Sequence, residues 1–330
     1  MLHIHNGDST AGTAKKTPIP GEHLAWREAL VCGPAPGGLS KDAFRSIRAG
    51  HLADAYGADL AECEKELREQ EDALSRFPGH EEVVLWFEHD LFCQVQLIYL
   101  LDWFAQRELG NTKLSLICIG EFPGIPDFRG LGQLSEEQLT SLFPQRLEIT
   151  PAQLKLGSKA WRAYSSSNPK EIESLLESDL TELPFLKSAL AKHLQRFPSV
   201  RNGLGRVENL ALELAADGQH EFKFLFSEFG RREPEYGFGD TQLLLEMKRL
   251  ANAGKPLLLM SNGAGVTESA QITKTSFQIT ERGQAVLRSD KDFTNMNGID
   301  LWLGGVHLKG DEAAWRWDEV GQRLVMSDEL

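Results

Sequence analysis

The run Val83-Val84-Leu85-Trp86-Phe87 leaves this chain few folding options. Unbroken apolar sequence after a Pro78-Gly79 turn, with no alternation, suits a strand covered on both faces, as parallel strands are. It ends in Glu88-His89-Asp90, and the segment from Leu91 to about Arg107, rich in Leu, Ile, Trp and Phe, reads as a helix. A second buried strand follows at Lys113-Leu114-Ser115-Leu116-Ile117-Cys118-Ile119 and ends in Gly120-Glu121. Strand, helix and strand with short connections make a parallel unit with a right-handed crossover. Leu2-His3-Ile4-His5 supplies another strand, and His23 to Val31 contains a further candidate. The expected fold class is therefore α/β, with a Rossmann-like open parallel sheet over residues 1–128.

Helix signals dominate residues 129–201. Ser135 begins one helix, Thr150-Pro151 another with Pro at the first helical position, and Ser165 to Pro169 is a break. From 202 to 330 three helices are expected, at Arg206–Ala216, Phe222–Phe229 and Asp240–Ala253. A β-rich tail follows, with a hairpin joining Leu301–Leu308 to Ala314–Trp317 across residues 309–312. Three helices followed by a β-wing give a winged-helix-like α+β region. Ser40 and Asp59 stand at the starts of two further helices, the second amphipathic.

With 330 residues, the chain is long enough for two or three domains. Its 35 basic residues against 48 acidic ones, net charge −13, disfavour binding driven by phosphate neutralisation, so nucleic acid is not an expected partner. The 202–330 region carries 14 basic residues against 20 acidic, which weighs against DNA reading even for a winged helix. No basic and apolar leader opens the sequence. Leu91 to Phe104 is too short, and too broken by Gln94, Gln96 and Asp102, to span a bilayer. No membrane partner and a cytoplasmic location are expected. Without a CxxC pair no zinc ribbon or thioredoxin-like motif is indicated, and although four cysteines permit two disulfides, a large acidic chain without a secretory leader is expected to keep Cys32, Cys63, Cys93 and Cys118 as free thiols.

Ligands in open parallel sheets sit beyond the carboxyl ends of the strands. Three such ends carry polar clusters here: Asn6-Gly7-Asp8-Ser9, Glu88-His89-Asp90 and Gly120-Glu121. The candidate catalytic groups are His89, Asp8, Glu88 and Glu121, with His89 favoured because an imidazole both gives and takes a proton near neutral pH. Asp90 is placed to cap the following helix and to help bind a ligand. Asn6, Gly7, Ser9, Thr10, Gly12 and Thr13 read as a glycine- and hydroxyl-rich loop able to turn amides toward an anion, and Arg27 joins them as a ligand-binding candidate. The Gly7-x4-Gly12 spacing matches half of a P-loop, but Thr13-Ala14 stands where Lys-Ser/Thr is required. Structural roles compete throughout: a helix-capping turn for Asp8 or Ser9, and an ordinary ion pair for Arg27 and Glu28. His3 and His5 share a strand face, yet ligand partners at metal spacing are missing, so they read as satisfied sheet histidines; no metal is assigned and no signature names a cofactor.

Asn6-Gly7-Asp8-Ser9, Trp26-Arg27-Glu28 with Gly33-Pro34, and Trp86-Phe87-Glu88-His89-Asp90 together resemble a family of uncharacterised bacterial proteins with a strand-NGDS opening and a WFEHD-like motif. Asn297-Gly298-Ile299-Asp300 and Trp302-Leu303-Gly304-Gly305-Val306-His307-Leu308 extend the resemblance over most of the chain. It implies a shared fold and site. Two functions follow from the residues: an enzyme, hydrolase or group transferase, acting on a small phosphorylated or nucleotide-like molecule at the carboxyl edge; or a ligand-sensing regulator or interaction module built on the winged-helix-like region.

Overall fold

The fold is seen in a computed structural model that describes residues 1–261, 272, 274–311 and 313–329. Strand β1 (Leu2–Asn6) leads into helix α1 (Asp8–Ala14), and β2 (Glu22–Trp26) is followed by the short β3 (Gly33–Pro34). Helices α2 (Lys41–Tyr56) and α3 (Leu60–Ser75) start where expected, with the Ser40 and Asp59 side chains accepting from the Ala43 and Glu62 amides. Next come β4 (Glu82–Glu88), α4 (Leu91–Ala105) and β5 (Lys113–Ile119), the expected strand–helix–strand unit. The two-residue β6 (Leu147–Glu148) closes a five-stranded sheet in the order β2-β1-β4-β5-β6. The first four strands are parallel and β6 is antiparallel, so the sheet is mostly rather than wholly parallel.

Val83 through Phe87 are all fully buried, which accounts for their unbroken apolarity. Helix α4 is apolar nearly all round because α6 (Pro151–Ser165) packs on it while its other side meets β4. Helix α5 (Glu136–Leu142) precedes α6, and both begin with reciprocal capping boxes, at Ser135 and Thr150. Helices α7 (Lys170–Leu176) and α8 (Leu186–Leu194) complete the middle segment. One apolar core runs from Leu2 to Leu324, and a second lies on the opposite sheet face around Val84, Trp86 and Leu139.

The segment expected to be a glycine-rich loop is helical instead. Asp8 to Ala14 form α1, with the turn confined to Gly7 at φ 84°. Thr10, Ala11 and Ala14 are buried along this helix, so packing overrides the weak helix propensity of Ser, Thr and Gly.

In the C-terminal region α9 (Arg206–Ala216), α10 (Phe222–Arg232) and α11 (Asp240–Ala251) precede an antiparallel pair, β7 (Leu258–Ser261) and β8 (Ser276–Ile279). Two short helices follow, α12 (Glu281–Leu287) and α13 (Phe293–Asn297). The tail differs from expectation. Strand β9 (Ile299–Gly304) turns at Gly304-Gly305 and pairs with β10 (Val306–Gly310), while β11 (Trp315–Asp318) pairs with β12 (Arg323–Met326). Gly304 lies at φ 62°, and a Cβ on Gly305 would fall on the Ser165 carbonyl, so the two-glycine turn wins over Lys309-Gly310-Asp311. Glu312 of the expected turn lies outside the described residues. Strand β9 also pairs with β3, tying the tail to the N-terminal segment. All four cysteines are free, and no helix among the described residues is long and apolar enough to cross a membrane.

Candidate functional site

Because β1, β4 and β5 run parallel, the Asn6-Gly7-Asp8, Glu88-His89-Asp90 and Gly120-Glu121 segments all follow the same sheet edge. Strand β2 ends there too, at Trp26-Arg27-Glu28. A cleft of about 540 Å³ opens at the ends of β1 and β2 and is walled by α2 and α3. Asn6, Gly7, Asp8, Arg27 and Glu28 line it. At the rim the Arg27 guanidinium donates to both Asp8 oxygens, at 2.8 Å from Nε to Oδ2 and 2.8 Å from Nη2 to Oδ1. That bond holds the Arg27 pKa above its ordinary value. The Arg27 backbone N–H donates to Gln70 Oε1 at 2.6 Å, fixing the strand end against α3.

Glu28 faces inward rather than forming a surface ion pair with its neighbour. It is buried against the fully buried Arg48 of α2, with Nη2 to Oε1 at 2.6 Å. Arg48 also donates to the carbonyls of Ala29, Cys32 and Pro34, so one guanidinium shapes the whole segment leaving β2.

Asn6 connects the cleft to a buried acidic cluster. Its Oδ1 accepts from Gln96 Nε2 at 3.0 Å, and its Nδ2 donates to Cys93 Sγ at 2.6 Å. Gln96 Nε2 also reaches the Glu28 carbonyl at 2.6 Å. The Cys93 thiol in turn donates to Glu88 Oε2, and Glu88 Oε1 accepts the Leu131 amide at 2.7 Å. Asp90 caps α4 as expected, accepting the Cys93 amide at 2.8 Å. A Cβ on Gly237 would overlap the Asp90 carboxyl, so the chain preceding α11 lies directly against the cap. Donor atoms of Glu88, Asp90 and Cys93 lie within 4.8 Å of one another, but the Cys93 thiol is already bonded to Glu88 and the Asp90 carboxyl to the Cys93 amide. Burial raises the Glu88 pKa; burial and then the Glu88 charge push Asp90 up to about 7. Burial, reinforced by both carboxyls, holds Cys93 as a thiol. This cluster positions Asn6; it does not itself line the cleft.

Of the expected site residues, the cleft gathers Asn6, Gly7, Asp8 and Arg27, while Glu88 and Asp90 sit buried behind Asn6. His89 is half-buried beside Phe185, ring centroids 6.1 Å apart, with its Nδ1 buried and without a partner among the described residues, and it does not line the cleft. Glu121 is exposed. Ser9, Thr10, Gly12 and Thr13 are helical and do not line the cleft; Thr10 is buried and Thr13 Oγ1 donates to the Ser9 carbonyl. The expected anion-cradling loop is therefore not formed. Cys93, Gln96, Gln70 and Arg48 were not anticipated. Gln94 and Gln96 inside an otherwise apolar helix were the available signal, since buried amides need partners.

His3 and His5 share a face with Trp86 and, across the β1–β2 pair, with His23. Trp86 Nε1 donates to His3 Nδ1 at 3.1 Å, and His3 Nε2 donates to the Pro20 carbonyl at 3.0 Å. These bonds fix His3 as a neutral imidazole, as expected of a satisfied sheet histidine.

No protein-family model matches the chain, and no curated protein matches it significantly in sequence.

Proposed function

We propose that the chain is an enzyme, a hydrolase or group transferase, that takes a small polar molecule into the cleft at the carboxyl edge of a Rossmann-like sheet. The observation that carries this is the meeting of Asn6 and Asp8 from the end of β1 with Arg27 and Glu28 from the end of β2 around one cavity. Independent strand ends converging on a cavity of this size are how open α/β sheets build ligand sites. Asp8 is the group placed to exchange a proton with a bound molecule, Arg27 orients it, and Asn6 offers an amide held by Gln96 and Cys93. The phosphorylated ligand class loses the support of the Gly7–Thr13 segment, because that segment is helical. Four free thiols agree with a cytoplasmic location.

A thermal-shift screen against nucleotides, sugar phosphates, amines and divalent metals tests this. A ligand at 100 times its dissociation constant adds roughly 2.7 kcal/mol. That shift is lost in Asp8→Ala and Asn6→Ala if the cleft is the site. Shifts that survive both changes contradict it.

The C-terminal region supports a second function, an interaction module. Helix α9, the Glu221–Ser276 bridge, α10, α11 and the β7–β8 pair follow one another in the order of a winged helix. Every position of α11, the helix that would read DNA, is buried or half-buried. Arg249 pairs with Glu208 and Glu246, and Gln242 donates to the Tyr56 hydroxyl of α2 at 2.9 Å. The partner this region serves best is its own N-terminal segment. Sub-micromolar binding to duplex DNA at physiological salt would contradict that assignment.

A further inference from the structure

We infer that the cleft selects a ligand carrying a positive charge, an alkylammonium or guanidinium group. This rests on the cleft being the ligand site and adds the chemical class of the ligand. The cavity wall along α3 presents Glu62, Glu66 and Glu69, whose spacings of four and three residues put them on one helix face. Glu62 is partly engaged by Lys65 at 3.1 Å. Among the described lining residues the one cation is Arg27, and both its nitrogens that face Asp8 are bound to that carboxylate. Glu28 is likewise neutralised from behind by Arg48. An anion entering here meets glutamates and no uncommitted cation of the lining, whereas a cation meets carboxylates already in place.

The apolar part of the cavity points the same way. Trp26, Tyr56 and Phe92 contribute aromatic surface, and aromatic rings with carboxylates at the rim form the usual environment for an alkylammonium or guanidinium group. Trp26 lines the cavity, is only 2% exposed, and its indole N–H has no partner among the described residues, although buried indoles ordinarily find one. Cys63, also on the wall, has its thiol pKa raised by burial and then by Glu66.

The experiment compares agmatine and choline with AMP and inorganic phosphate as probes, by thermal shift and by calorimetry at low salt. Wild-type protein is stabilised by at least one of the two cations and by neither anion. The Glu62→Gln/Glu66→Gln/Glu69→Gln variant weakens that binding about tenfold, in line with removing three exposed charge contacts. A Glu108→Gln/Glu148→Gln/Glu177→Gln variant has the same net charge but alters exposed carboxylates outside the cleft, and it binds as wild type does. Equal weakening in both variants, or none in the first, shows diffuse attraction to an acidic protein and overturns the inference. Stabilisation by AMP or phosphate alone overturns the charge assignment while leaving the cleft as the site. Silence from all four probes overturns the charge assignment as well, and the broader screen then judges the cleft alone.

Discussion

The two sides of β1 bury ionisable groups in opposite ways. On one side His3 and His5 stack with His23 and Trp86. His3 bonds the Trp86 ring and the Pro20 carbonyl, whereas His5 Nε2 meets the His23 ring and its Nδ1 is buried without a partner among the described residues, so only His3 is the satisfied sheet histidine expected. Burial holds His3 down to about 4 and His5 to about 2, so both are neutral in the folded protein. On the other side Asn6 leans on Cys93, Glu88 and Asp90, whose acids burial keeps protonated to unusually high pH. None of the three histidines lines the cleft, whereas the acidic cluster touches it through Asn6. A strongly perturbed pKa marks burial in both places; what separates a candidate site from a structural layer is the adjoining cavity.

The largest effect is expected from the ion pair that shapes the cleft wall. Arg48→Ala leaves Glu28 buried without its cation and strips three carbonyls of a donor, so it should cost about 3–5 kcal/mol in chemical denaturation. A cost near zero would mean that the wall is held by other contacts.

The histidine side predicts the pH response. His3, His5, His23, His51 and His193 are all held neutral when folded and take up protons on unfolding, once the pH falls below about 6.5. Stability should therefore fall as the pH drops from 6.5 toward 4, by up to about 1.4 kcal/mol per histidine per pH unit. Asp90 opposes this: its raised pKa means the folded state keeps a proton that the unfolded state loses, so its contribution declines as pH rises from about 4 to 7. Asp90→Asn preserves a capping side chain and removes that opposing slope. The denaturation midpoint of the variant should vary more steeply between pH 5 and 7 than that of wild type. An unchanged slope would show that Asp90 titrates normally.

The smallest effect on folding belongs to the rim. Asp8 and Arg27 are more than half exposed, at 65% and 56%, so Asp8→Asn should change stability by less than about 1 kcal/mol. If the cleft is the site, the same substitution weakens ligand binding, separating a functional residue from a structural one in a single variant.

The fold was legible where local and tertiary demands agree. Continuous apolar sequence marked β4 and β5, while Asp90, Ser135 and Thr150 marked helix starts as N-caps. It was illegible where packing decides: Asp8 to Ala14 carry turn-forming residues yet are helical because Ala11 and Ala14 bury against the sheet. At the site, strand ends pointed to Asn6, Asp8 and Arg27, but not to the α3 glutamates, whose pattern is that of any solvated helix face. Nor could spacing separate Glu88, buried by the Leu131 amide, from a residue open to ligand.

A crystal structure of the protein with the strongest ligand from the screen tests the central claim most directly. The account predicts ligand density between the end of β2 and α3, within hydrogen-bond distance of Asn6 or Asp8 and beside Trp26 and Tyr56. Density seated instead in the separate groove lined by Arg201, Arg206 and Trp317, with the cleft unchanged, would contradict it.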